Sequence, residues 1–349
     1  MKKLVLGLAA IIVAFYAAVI AYVKVNERTL VFHAELAKGP LIEPKAPFQP
    51  PHAKVTFASA DGTPLVGWVI PAASKDSSGT WVLHCHGNSH NFSQLEEPEF
   101  YTYLRALGVN ILAFDYRGFG ESGGEADEQG AYADARAAYD LLRNTYHVPA
   151  ERIIVYGHSL GTGIAVQLAS TVKAGALILQ APYTSIPDLG SRRYPFLPVQ
   201  TMATYRFPSI ERIPSVKMPL LVLHSPADST IPIAMGNELT RLAGSTSKQC
   251  VQVKGGHSMA FKVDSGTFFS HFGAMVASVT RLAEFAEFKA MPRKRIGPGS
   301  WIVYDTVHHT QWHSDSIGRV AASGDDNEIS VSDTAPEKMA IDAQKGPCG

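Results

Sequence analysis

At 349 residues, 46% of them hydrophobic and 18% charged, the chain is long and apolar enough to bury a sizeable core, which excludes a wholly disordered protein. Its 31 Lys and Arg balance 31 Asp and Glu, so no net positive field exists to hold nucleic acid. Three cysteines are too few for a disulfide framework; buried free thiols are the expectation for Cys85 and Cys250, with Cys348 near the C-terminus.

Residues 4–23 carry no charge, and these 20 residues would span ~30 Å as a helix, the thickness of a bilayer's hydrocarbon core. Tyr22 and Lys24 suit an interface, so residues 1–23 read as a transmembrane anchor. A cleaved signal peptide with a weak site at Val19-Ile20-Ala21 competes, but no polar region precedes that site. A buried helix of the body fits poorly, because nothing on the segment is polar enough to face water. Lys2 and Lys3 tip the N-terminus towards the cytosol and the body towards a lumen or periplasm, against Lys24 and Arg28 on the other side.

Residues 24–50 read as a connector, ending in the Pro-rich run 40–51. Alternation over 54–58 and 65–69 around Asp61-Gly62 predicts a hairpin. Short apolar runs at 81–85, 109–114, 153–156, 176–180, 220–224 and 249–253 predict further strands. Helical spacing falls between them, at 99–107, 131–144 and 163–172. The expected fold is α/β, with an eight-stranded, mostly parallel sheet flanked by helices and an antiparallel start, over residues 51–289.

An insertion at 183–214, rich in Pro and aromatics and carrying Arg192, Arg193, Arg206 and Arg212, reads as a small cap over the site or as a surface excursion that merely packs. Residues 290–349 mix Pro, Gly, Ser and Asp without a period and read as a mostly disordered tail. His308, His309 and His313 in that tail read as an incidental cluster, so no metal is expected. Asn91-Phe92-Ser93 matches a glycosylation sequon by chance.

The sharpest chemical feature is Gly157-His158-Ser159-Leu160-Gly161, set between the strand at 153–156 and the helix at 163–172. A nucleophile at a strand-to-helix turn needs a strained backbone; the flanking glycines remove side chains that would clash, and the helix N-terminus favours developing negative charge. Ser159 is therefore the candidate nucleophile. A serine hydroxyl needs a base, and His257 follows the last strand within Gly255-Gly256-His257-Ser258. A third group must fix the imidazole, and Asp228 follows the strand at 220–224. Asp264 and Asp188 are weaker candidates for that acid. Donors for the oxyanion are expected from the backbone N–H groups of Leu160 and of Asn88, the latter in His86-Gly87-Asn88. His84 and His86 flank Cys85 on one strand face, without the further ligands a metal would need, and Cys85 lacks the turn that would make it a nucleophile.

The order Ser159, Asp228, His257, with His86-Gly87-Asn88, the run 114–122 (Phe-Asp-Tyr-Arg-Gly-Phe-Gly-Glu-Ser) and Gly157 to Gly163, resembles the α/β-hydrolase superfamily over residues 50–290. It is similar in particular to single-span membrane serine hydrolases of the monoacylglycerol and lysophosphatidylserine lipase group. The resemblance implies Ser159, Asp228 and His257 as the triad, and Asp115 and Arg117 as structural residues holding the loop after their strand. Ser225 stands where many relatives have Gly, and the tail has no counterpart there.

The expected function is a membrane-anchored serine hydrolase cleaving carboxylic esters, with a monoacylglycerol or lysophospholipid as substrate and the membrane as its only other partner. No cofactor and no protein partner are expected. A protein depalmitoylase or other thioesterase, or a peptidase, would use the same three residues, and a non-catalytic membrane binding protein could share the fold.

Overall fold

The computed structural model describes residues 2–74 and 79–290 and, beyond them, four strands within 293–322. Three helices open the chain: α1 (Lys2–Val25), α2 (Glu27–Phe32) and α3 (Ala34–Ala37). No residue of α1 is buried, and with a mean hydropathy of 2.7 over its 18-residue apolar window it is long and apolar enough to cross a membrane.

The body is built on a hairpin, β1 (Ala53–Ala58) and β2 (Pro64–Ile70), followed by β3 (Trp81–Cys85), β4 (Asn110–Phe114), β5 (Ile153–His158), β6 (Ala176–Gln180), β7 (Leu220–His224) and β8 (Lys248–Gln252). These form one eight-stranded sheet in the order β1-β2-β4-β3-β5-β6-β7-β8. The hairpin is antiparallel and β2 joins β4 antiparallel, while β4, β3, β5, β6, β7 and β8 run parallel. Strands β5, β6 and β7 are buried along their whole length, which is why they read as continuous apolar runs rather than alternating ones.

Helices α4 (Glu97–Ala106), α5 (Glu128–Asn144) and α6 (Leu160–Thr171) cross between strands. The insertion holds α7 (Ile186–Arg193), α8 (Val199–Met202) and α9 (Ser209–Arg212); α10 (Ile233–Leu242), α11 (Ala260–Val263) and α12 (Ser265–Ala290) follow. The two sheet faces divide by alternation. Leu83, Cys85, Val155, Leu177 and Leu179 join α5 and α6 in one core, and Tyr156 on the opposite face meets Phe100 of α4 at 5.2 Å and Phe272 of α12 at 5.7 Å.

Several expectations need correction. Residues 24–50 are more than a connector: Phe32 is buried against Tyr205 and Phe207 at 5.1 and 5.8 Å, and Asn91 Nδ2 donates to the carbonyl of Ala37 at 3.1 Å. The apolar residues of α2 and α3 are simply too few to show a period. The insertion does not reach over the cavity beside Ser159. Phe207 turns inward to meet Tyr132 of α5 at 5.5 Å, whereas Tyr194 and Phe196 are exposed, and Tyr16 of α1 donates to the carbonyl of Phe196 at 2.7 Å. Cys85 is a buried free thiol, which burial pushes up to about 12, and Cys250 is half-buried rather than buried.

A second compact unit begins at Ala277. Within the stretch read as mostly disordered, it holds an antiparallel meander of β9 (Arg293–Gly297), β10 (Ser300–Asp305), β11 (Thr310–Ser314) and β12 (Val320–Ala322). His313 lies in β11; His308 and His309 fall outside the described residues.

Candidate active site

Ser159 sits between β5 and α6 with φ 51° and ψ −120°, a left-handed backbone that a non-glycine residue adopts only when its surroundings impose it. The surroundings are the glycines of its motif. A Cβ on Gly157 would lie 2.7 Å from the Gly161 carbonyl oxygen, and one on Gly161 only 2.0 Å from the Cys85 carbonyl oxygen. Backbone packs where side chains would otherwise be, so the hydroxyl stands at the C-terminal end of the sheet.

The structure brings Ser159, His257 and Asp228 together. His257 Nε2 lies 2.8 Å from Ser159 Oγ, and its Nδ1 lies 2.8 Å from Asp228 Oδ2. Asp228 is fixed from the other side, where Oδ1 accepts the N–H groups of Thr230 and Ile231, each at 2.8 Å. Burial pushes its carboxyl up, but hydrogen bonds from His224, His257 and the Ile231 N–H outweigh burial and hold it well below the usual carboxylate range. It therefore stays ionised beside the imidazole. Ser225 also has a use: its Oγ accepts the N–H of Gly256 at 3.2 Å, linking the loop of Asp228 to the loop of His257. Asp188 and Asp264 lie apart, bonded to Thr184 and Gln200 and to the Lys254 N–H respectively.

Leu160 begins α6 directly after Ser159, and Asn88 lines the cavity beside it. The loop carrying Asn88 is braced from behind. Asn88 Nδ2 donates to the Val31 carbonyl at 2.9 Å, and Tyr116 Oη donates to the His86 carbonyl at 3.0 Å. Asp115 accepts the Phe92 N–H at 3.1 Å, and Arg117 forms a fork on the buried carboxylate of Asp134. Asn91 is buried, so its sequon is shielded in the folded chain.

The cavity beside Ser159 measures about 180 Å³, and none of its lining residues comes from 183–214. Sequence reasoning misses most of its wall: His90 from the loop before α4, Glu97 from the start of α4, Tyr156 and His158 from β5, and Gln180 from β6. Burial, with the His257 imidazole nearby, lowers His158 to about 3, keeping that ring neutral. Alternation on β3, β5 and β6 carries a faint signal for these residues, since polar side chains interrupt otherwise apolar strands. Among the described residues no group of three His, Cys, Asp or Glu is arranged to hold a metal.

A hydroxyl on a strained strand-to-helix turn, with an imidazole and a carboxylate in line, on a mostly parallel eight-stranded sheet, defines a hydrolase-type site. The chain belongs to the alpha/beta hydrolase family, whose model matches residues 82–286. An uncharacterized protein of Mycobacterium tuberculosis is 35% identical over 253 residues, 72% of this chain and 88% of its own length. The alpha/beta hydrolase domain-containing protein aho-3 of Caenorhabditis elegans is 38% identical over 160 residues, 44% of this chain and 45% of that one. Among solved structures, an esterase of Pyrococcus furiosus superposes with a TM-score of 0.57 at 20% identity, over 69% of this chain and 98% of that one. An acetyl xylan esterase from a Paenibacillus species reaches 0.52 at 21% identity, over 66% and 86%. At these identities the structures share the fold.

Proposed function

We propose that the protein is a membrane-anchored serine hydrolase that cleaves carboxylic esters through an acyl-enzyme on Ser159. The observation that carries this reading is the relay of two 2.8 Å contacts, Ser159 Oγ to His257 Nε2 and His257 Nδ1 to Asp228, on a left-handed serine. In the proposed reaction Ser159 Oγ attacks the acyl carbonyl as His257 Nε2 takes its proton, while Asp228 steadies the imidazolium. The N–H groups of Leu160 and Asn88 stabilise the oxyanion. His257 then gives its proton to the departing alcohol, and a water activated by the same imidazole releases the carboxylic acid.

The proposed substrates are amphiphilic lipid esters, a monoacylglycerol or a lysophospholipid. Helix α1 supports this, because an anchor of bilayer length keeps the site where such esters concentrate. Two of the insertion's four arginines are engaged elsewhere, Arg206 donating to the Gln200 carbonyl at 3.2 Å and Arg212 stacking over Tyr132 at 4.6 Å, while Arg192 and Arg193 are exposed. Lys2 and Lys3 favour a cytosolic N-terminus, with the body on the far side of the membrane.

The test is hydrolysis by the purified full chain in detergent micelles, across a panel of monoacylglycerols, lysophospholipids, short soluble esters, acyl-thioester peptides and amides. Turnover of the lipid esters, abolished in Ser159→Ala, is expected. Activity confined to short esters removes the lipid assignment, and preference for thioesters or amides redirects the reading to a thioesterase or a peptidase.

A further inference from the structure

The cavity beside Ser159 has a polar floor that the relay does not use. Strand register sets it out: His84 pairs with Tyr156, and His158 with Gln180, at the C-terminal ends of β3, β5 and β6. Glu97, the first residue of α4, reaches the same space. One of its oxygens accepts from His90 Nε2 at 3.1 Å; the other lies 3.7 Å from His84 Nδ1, too far for a hydrogen bond.

His84 Nδ1 lies 3.1 Å from the Tyr101 hydroxyl, whose own proton goes to the Phe92 carbonyl at 3.0 Å. Nδ1 must therefore carry the ring hydrogen, which leaves Nε2 as an acceptor. That Nε2 belongs to a ring only 1% exposed and has no protein partner. Burial, against the opposing pull of Glu97, lowers His84 to about 4, so the ring is neutral at pH 7. An unmet acceptor at such depth is destabilising unless a water or a ligand hydroxyl supplies the donor.

The shape and charge of the space narrow the ligand. At about 180 Å³ it falls below the ~300–1,000 Å³ of pockets that enclose drug-sized ligands, too small for a long acyl chain, and its lining sets the polar groups of His84, Glu97, His158 and Gln180 beside Leu95, Phe100 and Phe261. It is matched to the other half of an ester, the alcohol. Burial opposes the protonation of His90, but its hydrogen bond and charge pairing with Glu97 win and raise it. With Glu97 Oε1 already accepting from His90, only Oε2 is left for a ligand, which suits a single hydroxyl donor.

We infer that this floor binds the hydroxyl groups of a small polyol, glycerol-like alcohol portion of the substrate, with Glu97 Oε2 and His84 Nε2 as the acceptors. The inference rests on the ester-hydrolase reading above and names its alcohol side. Esters bearing free hydroxyls are thereby selected over counterparts in which those hydroxyls are replaced by hydrogen.

The experiment uses the full chain carrying Ser159→Ala, which holds esters uncleaved, and compares binding of 1-monooctanoylglycerol with that of propyl octanoate. Roughly tenfold tighter binding of the glycerol ester is expected, as hydrogen bonds to a charged acceptor give. Adding Glu97→Gln or His84→Phe should remove that difference and leave propyl octanoate binding unchanged. Equal affinity for the two esters in Ser159→Ala, or a preference that survives both added substitutions, overturns the inference. A thermal melt identifies a variant that has not folded, and where neither variant folds the comparison in Ser159→Ala decides alone. Because the assay reads binding, failure of the otherwise wild-type chain to hydrolyse either ester counts against the serine-hydrolase reading and not against the subsite.

Discussion

The Cys85 carbonyl oxygen lies 2.0 Å from where a Cβ on Gly161 would stand. The end of β3 and the start of α6 therefore touch backbone to backbone, and this contact holds both the turn of Ser159 and the loop of Asn88. Gly161→Ala must push the two apart. It is expected to cost ~3 kcal/mol of stability, as overpacking of a tight interior does, and to show as a lowered thermal midpoint or insoluble expression. A wild-type melting temperature in Gly161→Ala would contradict this packing.

Arg117 and Asp134 form a second buried dependence. The Asp134 side chain is fully buried and accepts from the Arg117 N–H at 2.8 Å and from its guanidinium at 2.8 Å. Arg117→Met would leave that carboxylate without its cation, a change expected to cost ~3–5 kcal/mol. Denaturant unfolding should show a lower midpoint, and Arg117→Met with Asp134→Leu together should recover part of the loss.

The buried histidines predict acid sensitivity. His84 and His158 are lowered to about 4 and about 3, both chiefly by burial, from an ordinary value near 6.5. In the unfolded chain they bind protons below pH ~6.5, while in the folded chain they stay neutral until pH falls to those lower values. The unfolded state thus gains protons first, and stability falls as pH drops from about 6.5 towards 4. Melting temperatures measured over that range should decline, and His84→Phe should flatten the decline if it folds. A melting temperature that holds or rises on acidification would contradict the burial of these rings in neutral form.

Under the anchor reading, the hydrogen bond from Tyr16 to Phe196 has a consequence for depth. Tyr16 stands eight residues before Lys24, or ~12 Å along the helix. With Lys24 at the interface, the exposed Phe196 ring should share the depth of Tyr16. Tryptophan placed at position 196 in reconstituted vesicles should be quenched by brominated acyl chains, as should tryptophan at position 16. Quenching at neither position would remove the anchor.

Much of the sheet is legible in the sequence because its strands are short apolar runs broken by turns, and a buried parallel strand leaves that mark. Ser159 announces itself through Gly157 and Gly161, whose necessity is local. Asp228 and His257 are readable only by their order after β7 and β8, because the contact between them spans 29 residues and is made by neighbouring strand ends. Other features depend on partners distant in the chain. Phe32 looks like one residue of a linker until Tyr205 and Phe207 close on it, and Phe207 looks like part of a lid until Tyr132 receives it. His84, His90 and Glu97 come from a strand, a loop and a helix, so no periodicity joins them.

The most direct test of the central claim is labelling of the full chain with a fluorophosphonate, which reacts only with a serine made nucleophilic by its neighbours. Wild type should label at Ser159, located by mass spectrometry of the labelled peptide. Ser159→Ala should abolish labelling, and His257→Ala and Asp228→Asn should slow it by on the order of 10³–10⁴-fold. Labelling that survives Ser159→Ala, or a folded wild type that does not label, would contradict the assignment of Ser159 as the nucleophile.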